Sequence, residues 1–581
     1  MTGGDLRARV NAWLAEDPDE RDRAELEALA SDDSPQARAE LADRFAGRLE
    51  FGTAGLRGAV GAGPNRMNRA VVRGTTAALA RWLTGAGRGL AGPDAADAGV
   101  VIGCDARHRS DQFADEAARV LAGAGIRVHL LPRQQPTPLL AFGVRHLRAA
   151  AGIMITASHN PPADNGYKLY LGDGAQIIPP ADAEIEAAIR DLGPLSAVPL
   201  APLDSPLIVR HGDEVAQAYL DLVCSVSPAP PGAAWLRFVY TPLHGVAAGL
   251  ALRAFRQAGF PVPDVVTAQA APDPEFPTVT FPNPEEPGAL DLALAQARRA
   301  GADLVLANDP DGDRLAVAVA DPDAVGGWRV LTGDQVGALL GAYLLGDSAS
   351  PGGRPPGPPR QPPEPGTDDR LVVTTIVSSS MLSSIAAAAG AQYAETLTGF
   401  KWIVRAGESR PGSMFVLGYE EALGYTVGTA VRDKDGIGAA LAMLGLAARI
   451  RSRGETLLEA WDALEIEHGV HQTAQVTVAT DAPADVMARL RAAAPAELAG
   501  SFVLTATDLT GGTKELPSAD VLIYRLAGAR VTIRPSGTEP KIKAYLEVVE
   551  PVTGRRLDQA RRAAAGRLAP LRDAVVRLLA G

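Results

Sequence analysis

The chain has 581 residues, of which 46% are hydrophobic and 21% charged, and 68 acidic against 56 basic residues give a formal net charge of −12. That length predicts several domains with ample core, the composition excludes a largely disordered or fibrous protein, and the acidic balance disfavours long-range attraction to nucleic acid or to an anionic membrane. An anionic ligand therefore has to be met by a local basic pocket. The only cysteines, Cys104 and Cys224, lie far apart and show no metal-ligand spacing, so no disulfide framework and a reducing compartment are expected. The amino terminus carries Asp5, Arg7, Arg9, Glu16 and Asp17 where a signal peptide needs an apolar stretch, and the apolar stretches 336–346 and 437–448 are too short to span a bilayer. Together these features predict a cytoplasmic protein.

Along the chain, short β-branched runs alternate with Ala/Leu/Arg-rich amphipathic stretches, the pattern of βαβ units. A strand at 99–103 precedes a helix at 110–123 and a strand at 127–131. The same alternation returns at 236–240 before 249–259, at 303–307, and at 371–376 before 381–390. Between 351 and 365 stand eight prolines with glycines among them, a composition that forms neither helix nor central strand and predicts a solvated insertion. The last part differs, with strands expected at 473–480, 531–533 and 541–549 and helices at 484–494 and 557–579, an α+β pattern. The boundaries expected from this pass are 1–207, 208–330, 331–465 with the insertion 346–369, and 466–581.

Three of the loops carry recognisable chemistry. The run 302–307 delivers Asp309-Pro310-Asp311-Gly312-Asp313-Arg314, which sets three carboxylates at alternate positions. Hard oxygen ligands of this kind suit Mg²⁺ and phosphoryl chemistry. A calcium loop starting at Asp309 would need Gly at its sixth position and Glu at its twelfth, where Arg314 and Ala320 stand. The strand-like Gly152-Ile153-Met154-Ile155 delivers Thr156-Ala157-Ser158-His159-Asn160-Pro161-Pro162, whose prolines stop a helix and present Ser158 as a candidate nucleophile. The flanking Thr156 and Asn160 do not make the Gly-x-Ser-x-Gly elbow of a hydrolase, and adjacency alone does not turn His159 toward the hydroxyl. Near the carboxy terminus, Arg534-Pro535-Ser536-Gly537-Thr538 falls between two expected strands and offers a guanidinium, hydroxyls and a glycine through which backbone N–H groups can approach an anion.

In these loops the chain resembles the α-D-phosphohexomutase superfamily, the phosphoglucomutases and phosphomannomutases. The resemblance implies three mixed α/β domains and a smaller carboxy-terminal α+β domain around a central cleft, with one loop from each. It implies that Ser158 carries a phosphoryl group and that Mg²⁺ bridges it to Asp309, Asp311 and Asp313. Arg57, in Gly55-Leu56-Arg57-Gly58, and Arg314 fall at positions beside the phosphoserine. Lys168, in Asn165-Gly166-Tyr167-Lys168, matches the lysine that manages the hydroxyl proton, a role that calls for a lowered pKa, and His159 is a second candidate. Thr398, Gly399 and Lys401 resemble a further substrate loop. Glu420, in Gly418-Tyr419-Glu420-Glu421-Ala422-Leu423-Gly424, resembles the sugar-selecting carboxylate, although Ala422 stands where the commoner form has serine. Together with Arg432-Asp433-Lys434-Asp435-Gly436 and 63–68, that departure points to the phosphoglucomutase and phosphopentomutase branch. Arg534, Ser536, Gly537 and Thr538 would grip the phosphate that is not reacting.

The implied reaction interconverts hexose 1-phosphate and 6-phosphate, glucose first, through a hexose 1,6-bisphosphate that also serves as activator. The alternatives are mannose or pentose phosphates, synthesis of the bisphosphate itself, or a phosphosugar-binding protein without turnover.

Overall fold

The structure, a computed structural model, describes residues 3–50, 55–85, 95–346, 368–537, 540–554 and 556–581. Thr538, residues 51–54 and nearly all of the proline-rich insertion lie outside the described residues. The chain gathers into two compact units, one formed by Met1–Pro228, Arg237–Ala316 and Ala430–Leu441, the other by Ala229–Leu236, Val317–Thr429 and Ala442–Gly581.

The first unit begins with three helices, Gly3–Glu16, Glu20–Ser31 and Pro35–Arg44. Asp19 caps the second by accepting the Arg21 N–H, and Ser34 caps the third, which has proline in its first turn where a missing donor costs nothing. Val10, Leu26, Leu41 and Phe45 form their common core with Ala62.

A six-stranded sheet follows, built from β1 (Leu56–Ala59), β2 (Val100–Cys104), β3 (Val128–Leu130), β4 (Ala151–Ile155), β5 (Asp164–Leu171) and β6 (Ile208–Arg210) in the order β1-β5-β4-β2-β3-β6. Strands β2, β3, β4 and β6 run parallel, as the βαβ alternation predicts, while β5 turns back antiparallel to β4 and β1 antiparallel to β5. The helix expected at 110–123 is Ser110–Gly123 and packs Phe113, Ala117 and Leu121 into a core shared with Val100, Ile102, Ile153 and Ile155. Each aliphatic side chain fully buried there contributes roughly 1.5–3 kcal/mol. The next sheet contains three parallel strands, β7 (Phe238–Thr241), β8 (Asp264–Val265) and β9 (Leu304–Asn308), with β7 pairing to both of the others. Strand β9 is buried along its whole length.

Strand β10 (Leu315–Ala320) carries the chain into the second unit and pairs antiparallel with β11 (Trp328–Val330). Next come β12 (Arg370–Thr375), β13 (Gln392–Thr396), β14 (Met414–Glu420) and β15 (Gly424–Val427), ordered β13-β12-β14-β15 with only β15 antiparallel. The helix Gly333–Leu345 starts with a reciprocal cap between Thr332 and Gln335. Six antiparallel strands end the fold: β16 (Val470–Ala479), β17 (Glu497–Leu498), β18 (Ser501–Asp508), β19 (Leu522–Leu526), β20 (Ala529–Pro535) and β21 (Lys541–Glu550), ordered β16-β21-β20-β19-β18-β17. Helices Pro483–Ala492 and Leu557–Ala580 supply Met487, Leu490, Ala564, Leu571 and Val575 to the same core as Val531, Ile533 and Leu546. The chain is thus three mixed α/β domains followed by a carboxy-terminal α+β domain, and no helix among the described residues is long and apolar enough to cross a membrane.

Candidate active site

Ser158 stands in the turn after β4, only 2% exposed, with a φ of 53°. The left-handed region costs a residue with a Cβ about 1–2 kcal/mol, so the surroundings must hold it there. The hydroxyl donates to Asp309 Oδ2 at 2.8 Å, and His159 Nδ1 lies 3.1 Å from Ser158 Oγ. With the single hydroxyl proton on Asp309, the imidazole is the donor in the second bond. His159 thus faces its neighbour, which adjacency in sequence could not tell. Burial, with Arg314 and Arg57 adding to it, pushes its pKa well below the usual imidazole range, so the ring is neutral.

The carboxylates of Asp309, Asp311 and Asp313 follow β9 and are fully buried, their oxygens within 4.8 Å of one another. Gly312 makes the turn at a φ of 72°, where a Cβ would stand 2.9 Å from Ala247 Cβ. Lys168, on β5, donates to Asp311 Oδ2 at 2.6 Å and to Asp313 Oδ2 at 2.9 Å. Thr137 Oγ1 also donates to Asp311 Oδ2, at 2.6 Å. Burial drives Asp309 well above the carboxylate range and its two acidic neighbours push the same way; in Asp311 burial is outweighed by Lys168, which holds the carboxyl low.

Asp311 Oδ1 and Asp313 Oδ1 are buried and meet no hydrogen-bond partner among the described residues. Orphaned carboxylate oxygens cost free energy unless something answers them. Two such oxygens beside Asp309, all hard ligands, fit a divalent cation.

Lys168 itself differs from expectation. Burial favours the neutral amine, but Asp311 and Asp313 outweigh it and raise the pKa rather than lower it. The sequence reading also missed its neighbours. Lys434 Nζ lies 3.2 Å from Asp313 Oδ2 and 3.1 Å from Asp433 Oδ1, and Asp433 Oδ2 accepts from Tyr170 and Gln176 at 2.7 and 2.8 Å. Both belong to the 432–436 stretch, which the sequence offered only as a mark of its branch. Arg57 Nη1 donates to Asn160 Oδ1 at 3.2 Å in the Ser158 loop, and the Arg314 N–H donates to Asp309 Oδ1 at 2.9 Å while its guanidinium lies 3.2 Å from Glu285.

The remaining expected residues belong to the second unit. Arg534 is the last residue but one of β20, and its Nη2 donates to the Tyr545 hydroxyl at 3.1 Å on the neighbouring β21. Its Nε is buried and meets no partner among the described residues. The Ser536 N–H donates to the Lys541 carbonyl at 2.9 Å and closes the hairpin, leaving Ser536 partly exposed and Gly537 exposed. Glu420 is the last residue of β14, opposite Gly424, and partly exposed. Glu421 accepts from Ser378 Oγ at 3.2 Å and Thr375 Oγ1 at 3.4 Å, and burial, then Asp334, raise its pKa. Gly399 takes a φ of 111° and leads from Thr398 into the short helix Phe400–Ile403, where Lys401 Nζ lies 5.9 Å from the centre of the Trp402 ring.

Residues 48–194, 217–324 and 332–464 match alpha/beta/alpha domains I, II and III of phosphoglucomutase/phosphomannomutase, and residues 475–564 match the C-terminal domain. The chain is 40% identical over 489 residues to a probable phosphomannomutase of Haemophilus influenzae, covering 83% of this chain and 93% of that one. It is 36% identical over 552 residues to the phosphopentomutase of Homo sapiens, covering 88% and 87%. A crystal structure of a phosphoglucomutase/phosphomannomutase family protein from Burkholderia thailandensis superposes with a TM-score of 0.65 at 20% identity over 90% of this chain and 97% of that one, a likeness of fold. With all four domains in order and a carboxylate triad facing a buried serine, the chain belongs to the phosphoglucomutase/phosphomannomutase family and is a phosphosugar mutase, an intramolecular phosphotransferase.

Proposed function

We propose that the chain interconverts hexose 1-phosphate and hexose 6-phosphate, glucose first, with Ser158 as phosphoryl carrier. The observation that carries this reading is the Ser158 hydroxyl, buried and hydrogen-bonded to Asp309 at 2.8 Å within the carboxylate triad. Phospho-Ser158 gives its phosphoryl group to the free hydroxyl of the sugar monophosphate: the serine O–P bond breaks, a sugar O–P bond forms, the hydroxyl proton passes to a protein base, and the departing Ser158 oxygen takes up a proton in turn. The bisphosphate then turns over and returns its other phosphoryl group to Ser158.

Asp309, Asp311 and Asp313 would hold Mg²⁺, which supplies neutralisation of phosphoryl oxygen charge. Lys168, held protonated, adds positive charge at the same place, and the neutral His159 is the group able to accept a proton. Arg57 and Arg314 stand by the serine loop and the triad as further charge. Glu420 would accept hydrogen bonds from sugar hydroxyls, the loop holding Thr398, Gly399 and Lys401 would line the sugar's path, and Arg534, Ser536, Gly537 and Thr538 would take the phosphate that is not reacting.

A second reading, pentose phosphate, is favoured by the human phosphopentomutase among the relatives and by Ala422, which lacks the hydroxyl of the commoner serine. A coupled assay across glucose, mannose and ribose 1-phosphates decides. Highest kcat/KM with glucose 1-phosphate supports the hexose reading, and highest kcat/KM with ribose 1-phosphate replaces it.

A further inference from the structure

Arg107 lies in none of the loops that carry the resemblance, yet its guanidinium sits beneath the serine loop. Nη1 donates to the carbonyls of Pro161 at 2.7 Å and Asp164 at 3.1 Å, and Nη2 to those of Ser158 at 2.7 Å and Asn160 at 2.5 Å. The residue is 4% exposed, its Nε faces Asp105 Oδ2 at 3.5 Å, and the Phe276 ring packs 5.0 Å from Cζ. Asp105 accepts from the Arg107 N–H at 3.0 Å and from Ser110 Oγ at 2.6 Å. It is also hydrogen-bonded to Thr156, whose Oγ1 accepts the Ser158 N–H at 2.9 Å. The carbonyl and the amide of Ser158 are therefore both tied to one buried ion pair.

The anchor continues outward. Arg109 donates to Asp22 at 2.6 and 3.0 Å and to Asp19 at 2.8 Å, fastening the same turn to the amino-terminal helices, which precede the matched domain at 48–194. A planar guanidinium with a fixed fork of donors can span several carbonyls, which a single ammonium cannot. Displacing a reacting atom by about 1 Å can cost a hundredfold in rate.

We infer that Arg107 is a positioning residue for phosphoryl transfer: by gathering four carbonyls of the serine loop it holds the Ser158 oxygen at its station beside the carboxylate triad. The inference rests on Ser158 being the phosphoryl carrier.

The test compares Arg107→Lys and Arg107→Ala with Ser158→Ala, each measured on the monodisperse folded fraction of the full chain. Arg107→Lys keeps a charge beside Asp105 but cannot reach four carbonyls. Its kcat should fall about ten- to a hundredfold, with the dissociation constant for glucose 1-phosphate, read by calorimetry, within about twofold of wild type. Methylguanidinium added to Arg107→Ala should restore part of the lost kcat and leave Arg107→Lys unchanged. Wild-type kcat in Arg107→Lys, or kcat and binding lost together without a response to methylguanidinium, overturns the inference. Ser158→Ala separates the two claims: normal turnover there removes the carrier itself, whereas a dead Ser158→Ala beside a fully active Arg107→Lys removes only the role of Arg107.

Discussion

The serine corner of the first unit and the Arg534 hairpin of the second are built on opposite principles. Around Ser158 the charged groups are buried and interlocked: Lys168 and all three aspartates are at most 1% exposed and Ser158 is 2% exposed. Around Arg534 the donors are only partly engaged, with Nε buried against nothing that can accept it among the described residues and Ser536 and Gly537 reaching solvent. A site that stabilises developing charge needs its dipoles and charges fixed before the reaction, because reorganising them would add to the barrier. One that grips a phosphate keeps donors available until the ligand arrives. In this chain, reaction and recognition are therefore expected to fail separately.

The largest break should come at the reactive corner. Ser158→Ala is expected to fold, since the turn tolerates a small residue, and to lose nearly all mutase turnover; an unaltered rate in a contamination-free preparation would refute the carrier assignment. Asp311→Asn should come next, with turnover down about a hundredfold or more and sugar-phosphate binding close to wild type. A Mg²⁺ titration checks it: full turnover with an unchanged metal requirement would remove the triad as the cation site.

At the recognition end the expected order reverses. Arg534→Ala should raise the dissociation constants of both hexose 1-phosphate and hexose 6-phosphate by roughly ten- to a hundredfold, the loss of one charge-assisted bond, while Ser158 still becomes phosphorylated. Calorimetry on the two isomers tests it, and a loss confined to one isomer would show that the hairpin serves a single orientation.

The smallest effect concerns stability. Asp334, at the start of helix Gly333–Leu345, accepts from the Ser379 N–H at 2.7 Å, yet burial, and then the charge of Glu547, raise its pKa to about 6. A carboxyl with a folded pKa above its unfolded value favours the folded state when protonated. Its contribution is therefore intact at acid pH, declines as pH rises from about 4 to 6, and is then a constant cost of up to about 3 kcal/mol. Asp334→Asn, which can still accept from Ser379, should raise the apparent Tm at pH 7.5 and leave it unchanged near pH 4. A melting series that shows no pH dependence of the difference would contradict the buried-charge account.

The same contrast governs what the sequence could reveal. Ser158 and the Asp309, Asp311 and Asp313 set were readable because each follows a strand and forms its pattern within a few residues. Thr137 joins them through a contact between remote parts of the chain that nothing local marks, and Asp433 and Lys434, whose local stretch signals only the branch, join them in the same way. Arg107 escaped for the same reason, its four acceptors being backbone carbonyls that no side-chain pattern reports. Lys168 is singled out by its motif for a role that calls for a lowered pKa, whereas its setting raises it, because the sign depends on which carboxylates surround it. In the fold, the strands at 99–103 and 303–307 and the helix at 110–123 were found to within a residue or two from period and composition. The antiparallel return of β5 was not, since strand direction is decided by pairing. The three amino-terminal helices show in the sequence only as a charged terminus, their apolar positions being sparse among acidic and basic residues.

The central claim, that Ser158 carries the phosphoryl group between sugar positions, is tested most directly by intact-mass spectrometry of the full chain. After incubation with glucose 1,6-bisphosphate the protein should gain the mass of one phosphoryl group, located to Ser158 by peptide mapping. Glucose 1-phosphate or glucose 6-phosphate should then remove it, with the bisphosphate appearing in equal amount. A protein that turns over hexose phosphates while gaining no phosphoryl group, or gaining it at another residue, would contradict the account.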